Sequence, residues 1–98
     1  MEQQTFAITL LTIELSIPYA RSLKDKRSAV RGLKDRIRSK FNASVAEVGY
    51  QDKWQRAVLA ACLIGGDRRR LESEADRLRT LCGEATDVEI VAIDQEWL

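Results

Sequence analysis

Hydrophobic residues follow two different periods along this chain, and the change of period divides it into six segments. Four segments are predicted as strands: residues 6–17, 43–50, 53–64 and 88–97. The alternation of apolar and polar residues that is typical of a strand with one buried face is clearest over residues 11–17. Between the predicted strands, apolar residues recur every three or four positions over 22–41 and 68–83, which predicts two amphipathic helices. The predicted N-caps are Ser22, with Asp25 three residues later, and Asp67.

The resulting order is strand, helix, strand, strand, helix, strand. Two strand–helix–strand units with right-handed crossovers give a four-stranded antiparallel sheet with both helices on one face, the ferredoxin-like α+β (βαββαβ) arrangement. We therefore predict that residues 1–98 form a single ferredoxin-like domain, a size that suits one core.

The first strand changes phase within its length. Leu11 and the apolar residues after it lie on one phase, but Ile8 and Leu10 lie on the other. This indicates either a bulge near Leu10 or a first half that is covered on both sides. The strand 53–64 is apolar on both phases after Arg56, so we expect it to be central in the sheet.

Because the helices cover only one face of such a sheet, the other face should carry an exposed apolar patch. Patches of this kind usually mark association, and two identical sheets can pack face to face through one self-complementary surface. The rival interpretation is an RNA-recognition sheet, which displays stacking aromatic residues, and here only Phe6 and Trp54 could serve. We favour a homodimer, with a self-association face formed by Trp54, Arg56, Val58, Ala60 and Cys62.

Charge is distributed unevenly, although the net charge is only +1. Residues 21–41 contain nine basic and two acidic residues, whereas residues 84–98 contain five acidic residues and no basic one. Five basic residues fall in one band of the first helix beside its apolar stripe: Lys24, Arg27, Arg31, Lys34 and Arg38. Such a band could contact the phosphates of a nucleic acid and release their counterions. The commoner explanation of such a band is a solvated surface whose long side chains cover the edge of the core.

Three further arginines, 68–70, begin the second helix, where they oppose its dipole. This placement favours either an external anion or a salt bridge to the acidic tail. On the first helix, Lys26, Arg36 and Lys40 are expected on the other flank of the apolar stripe.

Residues of common catalytic and metal sites are scarce. There is no histidine, which removes the commonest acid–base group near neutral pH and the commonest metal ligand. Glu47 and Asp52 flank one turn, but two loop carboxylates are weak grounds for acid–base chemistry. Cys62 and Cys82 are expected as small core residues, with disulfide, metal and redox roles as alternatives. We expect no enzyme activity, no cofactor and no metal site.

The sequence predicts no association with a membrane. The longest apolar run, 57–64, is too short to span a bilayer. Residues 1–4 lack the basic start of a secretory signal. The expected location is the cytoplasm.

Three motifs are specific in combination: Ser22-Leu23-Lys24-Asp25-Lys26-Arg27, Lys40-Phe41-Asn42-Ala43-Ser44-Val45-Ala46-Glu47-Val48 and Asp52-Lys53-Trp54-Gln55-Arg56-Ala57. Together they resemble the YlxP-like family of bacterial proteins of unknown function, over essentially the whole chain. The resemblance implies a ferredoxin-like fold, no established activity and no residue of assigned role. Genes of that family tend to lie beside genes for translation initiation and ribosome maturation factors, which suggests a role linked to RNA.

The third motif also has a physical interpretation. Trp54 and Arg56 begin a strand beside Glu47, so Arg56 and Glu47 could form a cross-strand ion pair. Trp54 is then either a plug at one end of the core or an anchor for an interface.

The function that these observations favour is non-catalytic binding by a self-associating module, which contacts RNA or the ribosome through its basic helix. Two alternatives come from other classes. The basic helix could dock an acidic partner, as in a protein–protein adaptor, or the fold could serve as a small-molecule-binding regulatory domain.

Overall fold

The structure, a computed structural model, describes residues 5–98 and has the predicted order of elements. They are β1 (Ala7–Ser16), α1 (Leu23–Lys40), β2 (Ala43–Gly49), β3 (Arg56–Gly65), α2 (Arg68–Gly83) and β4 (Glu89–Trp97). The largest difference from the predicted boundaries is the start of β3, which lies at Arg56 rather than at residue 53.

The strands form one antiparallel sheet in the order β2-β3-β1-β4. β1 and β3 lie in the middle and pair over their whole length, from Ala7 opposite Gly65 to Ser16 opposite Arg56. Two strand–helix–strand units produce this strand order. The ferredoxin-like α+β fold is therefore confirmed, and so is the central position of β3.

Both helices cover the same face of the sheet. One alternating set of side chains on the central strands is fully buried beneath them, including Leu11, Ile13 and Leu59. Ile37 of α1 and Leu78 of α2 belong to the same hydrophobic cluster. The core is thus a single layer between the sheet and the two helices.

Neither a bulge near Leu10 nor cover on both faces explains the phase change in β1. β1 pairs with β3 without interruption, so there is no bulge near Leu10. Ile8 and Leu10 lie on the face away from the helices, where both stay partly exposed. The irregularity in pairing lies on the β4 side, between Glu14 and Leu15, where Val91 has no partner on β1.

The predicted N-caps of both helices are confirmed. Ser22 Oγ accepts a hydrogen bond from the backbone N–H of Asp25 over 3.1 Å, and the Asp25 carboxylate accepts one from the backbone N–H of Arg21 over 3.0 Å. At the start of α2, the Asp67 carboxylate accepts from the backbone N–H of Arg69 over 2.9 Å. Neither helix in the part of the chain from residue 5 onward is long and apolar enough to cross a bilayer.

Candidate functional site

The five predicted cations of the first helix form one row on the side of α1 that faces β2. We term this row the α1 ridge; its members are Lys24, Arg27, Arg31, Lys34 and Arg38. All but Lys24 line a groove of about 320 Å³ between α1 and β2, together with Asp35 and Glu47. At 1.5 Å rise per residue, the ridge is about 21 Å long.

Most of the ridge carries unpaired charge. Within residues 5–98, ion pairs form between other residues, and no ridge cation takes part in one. Arg38 has a neutral partner, since its Nη2 donates to the carbonyl oxygen of Val45 over 2.9 Å. The other four ridge side chains make no hydrogen bond to another described residue, so they can reach an anion in solution.

Lys26 departs furthest from its predicted place on the helix surface. It is 1% exposed, and its Nζ lies 3.0 Å from a carboxylate oxygen of Glu47. The same Nζ donates to the backbone carbonyl oxygen of Tyr50. This buried pair attaches the first turns of α1 to the end of β2 and to the turn that follows it.

The position of Glu47 in the pattern of β2 could have predicted this pair. It lies on the same phase of β2 as Val45, which is buried under the helices. A carboxylate that faces a core needs a cation or a donor beside it. The predicted pairing of Glu47 with Arg56 is wrong, because Glu47 lies on the helix side of the sheet and Arg56 on the other; Arg56 pairs instead with Glu14.

The sheet face away from the helices, which we term the open face, carries four of the five predicted self-association residues. Arg56, Val58, Ala60 and Cys62 alternate on it, each partly exposed. Their respective partners on β1 are Ser16, Glu14, Thr12 and Leu10, followed by the apolar pair Ile64 and Ile8. On β4, the corresponding positions include Asp94 and Glu96. The open face is therefore apolar along β3 beyond the Arg56–Glu14 pair, and acidic along one edge.

Trp54, the fifth predicted self-association residue, lies in the turn before β3 rather than in the strand. Its side chain is 53% exposed, so the interpretation of Trp54 as a core plug is wrong. Around it lies an open hollow of about 470 Å³, lined by Asp52, Lys53, Trp54, Gln55 and Arg56.

The arginines at the start of α2 do not make the predicted salt bridge to the acidic tail. The guanidinium carbon of Arg68 lies 4.3 Å from the centre of the Trp97 ring, so its contact with the tail is a cation–π interaction. Arg69 and Arg70 are exposed and take part in no ion pair with residues 5–98.

The two cysteines lie in different environments. Cys82 is buried as predicted, and burial raises the pKa of its thiol to about 11 despite an opposing effect of Arg36. Cys62 is not a core residue, because it lies partly exposed on the open face. The described part of the chain has no cluster of three or more acidic or cysteine side chains that could hold a metal ion.

Comparison with known proteins identifies relatives of this chain. Residues 8–95 match the family described as protein of unknown function (DUF503). The uncharacterized protein YlxP of Bacillus subtilis (strain 168) is 33% identical over 78 residues, which cover 80% of this chain and 85% of that protein.

Among solved structures, a C-terminal segment of the alpha subunit of aIF2 from Pyrococcus abyssi aligns with a TM-score of 0.42 and 15% identity. The alignment covers 98% of this chain and 51% of that one, so the chain spans about half the length of this structural neighbour. A likeness at this level establishes no shared ligand. The family match and the identity to YlxP both extend over most of the chain, and they show that it belongs to the YlxP-like (DUF503) family of proteins of unknown function.

Proposed function

We propose that this chain is a non-catalytic, self-associating module that binds structured RNA, free or within the ribosome, through the α1 ridge. The observation that carries the proposal is the row of five cations along one side of α1, four of them without a partner in the described part of the chain. The cytoplasm is the compartment in which such a module would meet RNA.

The length of the ridge favours a polymer over a small anion. A single phosphate or carboxylate could contact only two or three of these side chains, because they extend over about 21 Å. A nucleic acid presents a regular series of phosphates, and arginine presents its donors in a fork that matches phosphate oxygens. Neutralising each phosphate releases condensed counterions, which supplies sequence-independent affinity.

The charges along the ridge are only partly compensated within α1. Arg27 and Arg31 are four residues apart, as are Lys34 and Arg38, and like charges at this spacing destabilise a helix by about 0.2–0.5 kcal/mol per pair. Asp35 lies four residues after Arg31 and three before Arg38, and these opposite-charge pairs offset part of the repulsion. An anion lying along the ridge would reduce the repulsion that is left.

Self-association would use the open face. A second copy of the chain could cover the partly exposed apolar residues that extend from Val58 to Ile64 on β3, with Ile8 and Leu10 beside them. The α1 ridge lies on the helix side of the sheet, so it would remain accessible in a dimer formed face to face. Such a dimer would present two ridges to one RNA, which raises affinity through effective concentration.

Two matched variants test the RNA proposal. Arg27→Gln/Arg31→Gln removes two exposed arginines from the ridge, and Arg69→Gln/Arg70→Gln removes two exposed arginines from α2. Both change the net charge from +1 to −1. We expect the ridge variant to bind a structured RNA at least tenfold more weakly in a gel-shift titration, and the α2 variant to bind within about twofold of the wild type.

Three outcomes would contradict the proposal. The wild type could fail to bind RNA at low salt, or both variants could lose the same affinity, which would indicate binding by overall charge alone. A polyglutamate chain could also bind at least as tightly as RNA and depend on the same two ridge arginines. That result would favour the protein–protein adaptor.

A further inference from the structure

The turn of residues 50–55 connects β2 to β3 and has a fixed backbone. The carbonyl oxygen of Tyr50 accepts hydrogen bonds from Lys26 Nζ and from the backbone N–H of Lys53. At the other end of the turn, the Gln55 side-chain amide donates to the carbonyl oxygens of Pro18 and Ala20, each over 3.2 Å. The turn is therefore attached both to α1 and to the segment that precedes it.

Two aromatic side chains project from this fixed turn without entering the core. Trp54 is 53% exposed and Tyr50 is 44% exposed. Tyr50 has φ = 57°, a left-handed conformation that is costly for an aromatic residue and persists only where neighbouring contacts impose it. Arg56 packs on the Tyr50 ring with its guanidinium carbon 5.0 Å from the ring centre, whereas no cation from residues 5–98 packs on Trp54.

The turn lies at the N-terminal end of the α1 ridge. Lys26, which contacts the turn, is placed between the ridge residues Lys24 and Arg27 in the first turns of α1. Glu47 contacts Lys26 and also lines the groove of the ridge. Gln55 also attaches the turn to Pro18 and Ala20, which directly precede α1. The turn therefore lies at the end of the molecule where the ridge begins.

We propose that the α1 ridge and the turn 50–55 form one composite surface for RNA that carries unpaired bases beside a structured segment, with Trp54 as the stacking platform for one base. The proposal rests on the proposed function and specifies the class of RNA. The ridge contacts the phosphates, while the open hollow at Trp54, flanked by Lys53 and Arg56, takes a base that has left the stack. Unpaired bases stack on exposed aromatic side chains, whereas bases inside a duplex cannot, because both of their faces are already stacked.

The test compares two RNAs that differ only in unpaired bases: a blunt-ended duplex and the same duplex with a short unpaired pyrimidine tail. Each is titrated against the wild type and against two variants that each remove an exposed aromatic ring. Trp54→Leu removes the proposed platform. Phe6→Leu is the matched control, because Phe6 is 69% exposed and precedes β1.

We expect the tailed RNA to bind the wild type about 5- to 150-fold more tightly than the blunt duplex, the range given by stacking of one base. Trp54→Leu should abolish this difference and leave blunt-duplex affinity within about twofold of the wild type. Phe6→Leu should keep the difference. The result is read only on variants that retain the wild-type circular dichroism spectrum.

A second measurement leaves Trp54 in place. Trp54 and Trp97 are the two tryptophans of the chain, so Trp97→Phe makes Trp54 the only indole. The tailed RNA should quench its fluorescence, and the blunt duplex should not.

Equal affinity for both RNAs, with no selective quenching, would overturn this inference and leave ridge-dependent RNA binding intact. Absence of binding to either RNA would overturn the proposed function and this inference with it. The two failures are therefore distinguishable in one set of titrations.

Discussion

Lys26 is a buried lysine whose charge is compensated by one carboxylate and one carbonyl oxygen, and it joins α1 to the edge of the sheet. Its burial could have been predicted from the sequence, because Lys26 precedes Val30, Leu33 and Ile37 at spacings of four, three and four residues and so belongs to the buried stripe of α1. Our placement of Lys26 on the flank of that stripe was wrong. Glu47, on the core-facing phase of β2, also indicated that a buried cation was needed.

Replacing Lys26 by methionine should lower the free energy of unfolding by about 3 kcal/mol. Methionine fills a similar volume but leaves Glu47 with an unpaired charge, and breaking a buried pair on one side is costly. The double variant Lys26→Met/Glu47→Leu should lose less free energy of unfolding than Lys26→Met alone, since it also removes the unpaired carboxylate of Glu47. Denaturation in urea measures both; a single variant as stable as the wild type would show that the pair contributes nothing.

Ionisation of the Cys82 thiol should make the free energy of unfolding depend on pH. Its folded pKa of about 11 lies above the ordinary value of 9.0, so the folded state holds the thiol proton to higher pH than the unfolded state does. The associated stabilisation is complete below pH 9 and is lost as the pH rises toward 11. Relative to Cys82→Ala, the wild type should lose about 2 kcal/mol over this window.

Cys62→Ala is the control for this experiment, because Cys62 lies partly exposed on the open face. It should show the same fall in stability with pH as the wild type. Parallel pH profiles for the wild type and Cys82→Ala would contradict the assignment.

At the scale of elements, α1 was the most predictable part of the molecule. A helix repeats its faces every 3.6 residues, so the spacing of Val30, Leu33 and Ile37 fixed its buried stripe, and the ridge followed from the same geometry. The turn 50–55 was the least predictable. Its conformation depends on contacts with Lys26, Pro18 and Ala20, which are distant in sequence, and no local pattern encodes such contacts.

Gly32 offers a test of α1 by itself. It lies in the interior of the helix, and an added Cβ would meet no atom within 4 Å. Gly32→Ala should therefore raise the free energy of unfolding by about 0.5–1 kcal/mol, because alanine loses less backbone entropy in a helix. Thermal or urea denaturation measures it. A destabilised variant would contradict this, because it would mean that the added methyl group meets an atom outside α1.

At the scale of the whole molecule, the order of the elements determined the fold. Two strand–helix–strand units with short connections have few ways to form one sheet, so the strand order and the central place of β3 could be inferred before any contact was known. The pairing of charges across the sheet could not, because Arg56 had carboxylates available on both neighbouring strands. Because Glu47 lies on the opposite side of the sheet from Arg56, Arg56 pairs with Glu14.

The proposed dimer predicts the effect of a charge at the centre of the open face. Ala60 lies opposite Thr12 on β1 and Ala46 on β2, so an arginine there would project from the middle of the face. The wild type should have a mass of about 22 kDa by light scattering, twice the 11.1 kDa of one chain. Ala60→Arg should have a mass near 11.1 kDa.

Ser73→Arg adds the same charge to the exposed surface of α2 and should remain a dimer. A wild type that stays monomeric at micromolar concentration would contradict the proposed self-association. So would a dimer that tolerates Ala60→Arg.

If the α1 ridge neutralises phosphates, RNA binding must weaken with salt in proportion to the number of ridge contacts. The slope of log K against log salt concentration should be about −3.6 to −4.5 for the wild type, as expected for about four or five phosphate contacts with structured RNA. In Arg27→Gln/Arg31→Gln it should become shallower by about 1.5 to 2, while Arg69→Gln/Arg70→Gln should keep the wild-type slope. Equal slopes for the wild type and the ridge variant would show that Arg27 and Arg31 neutralise no phosphate.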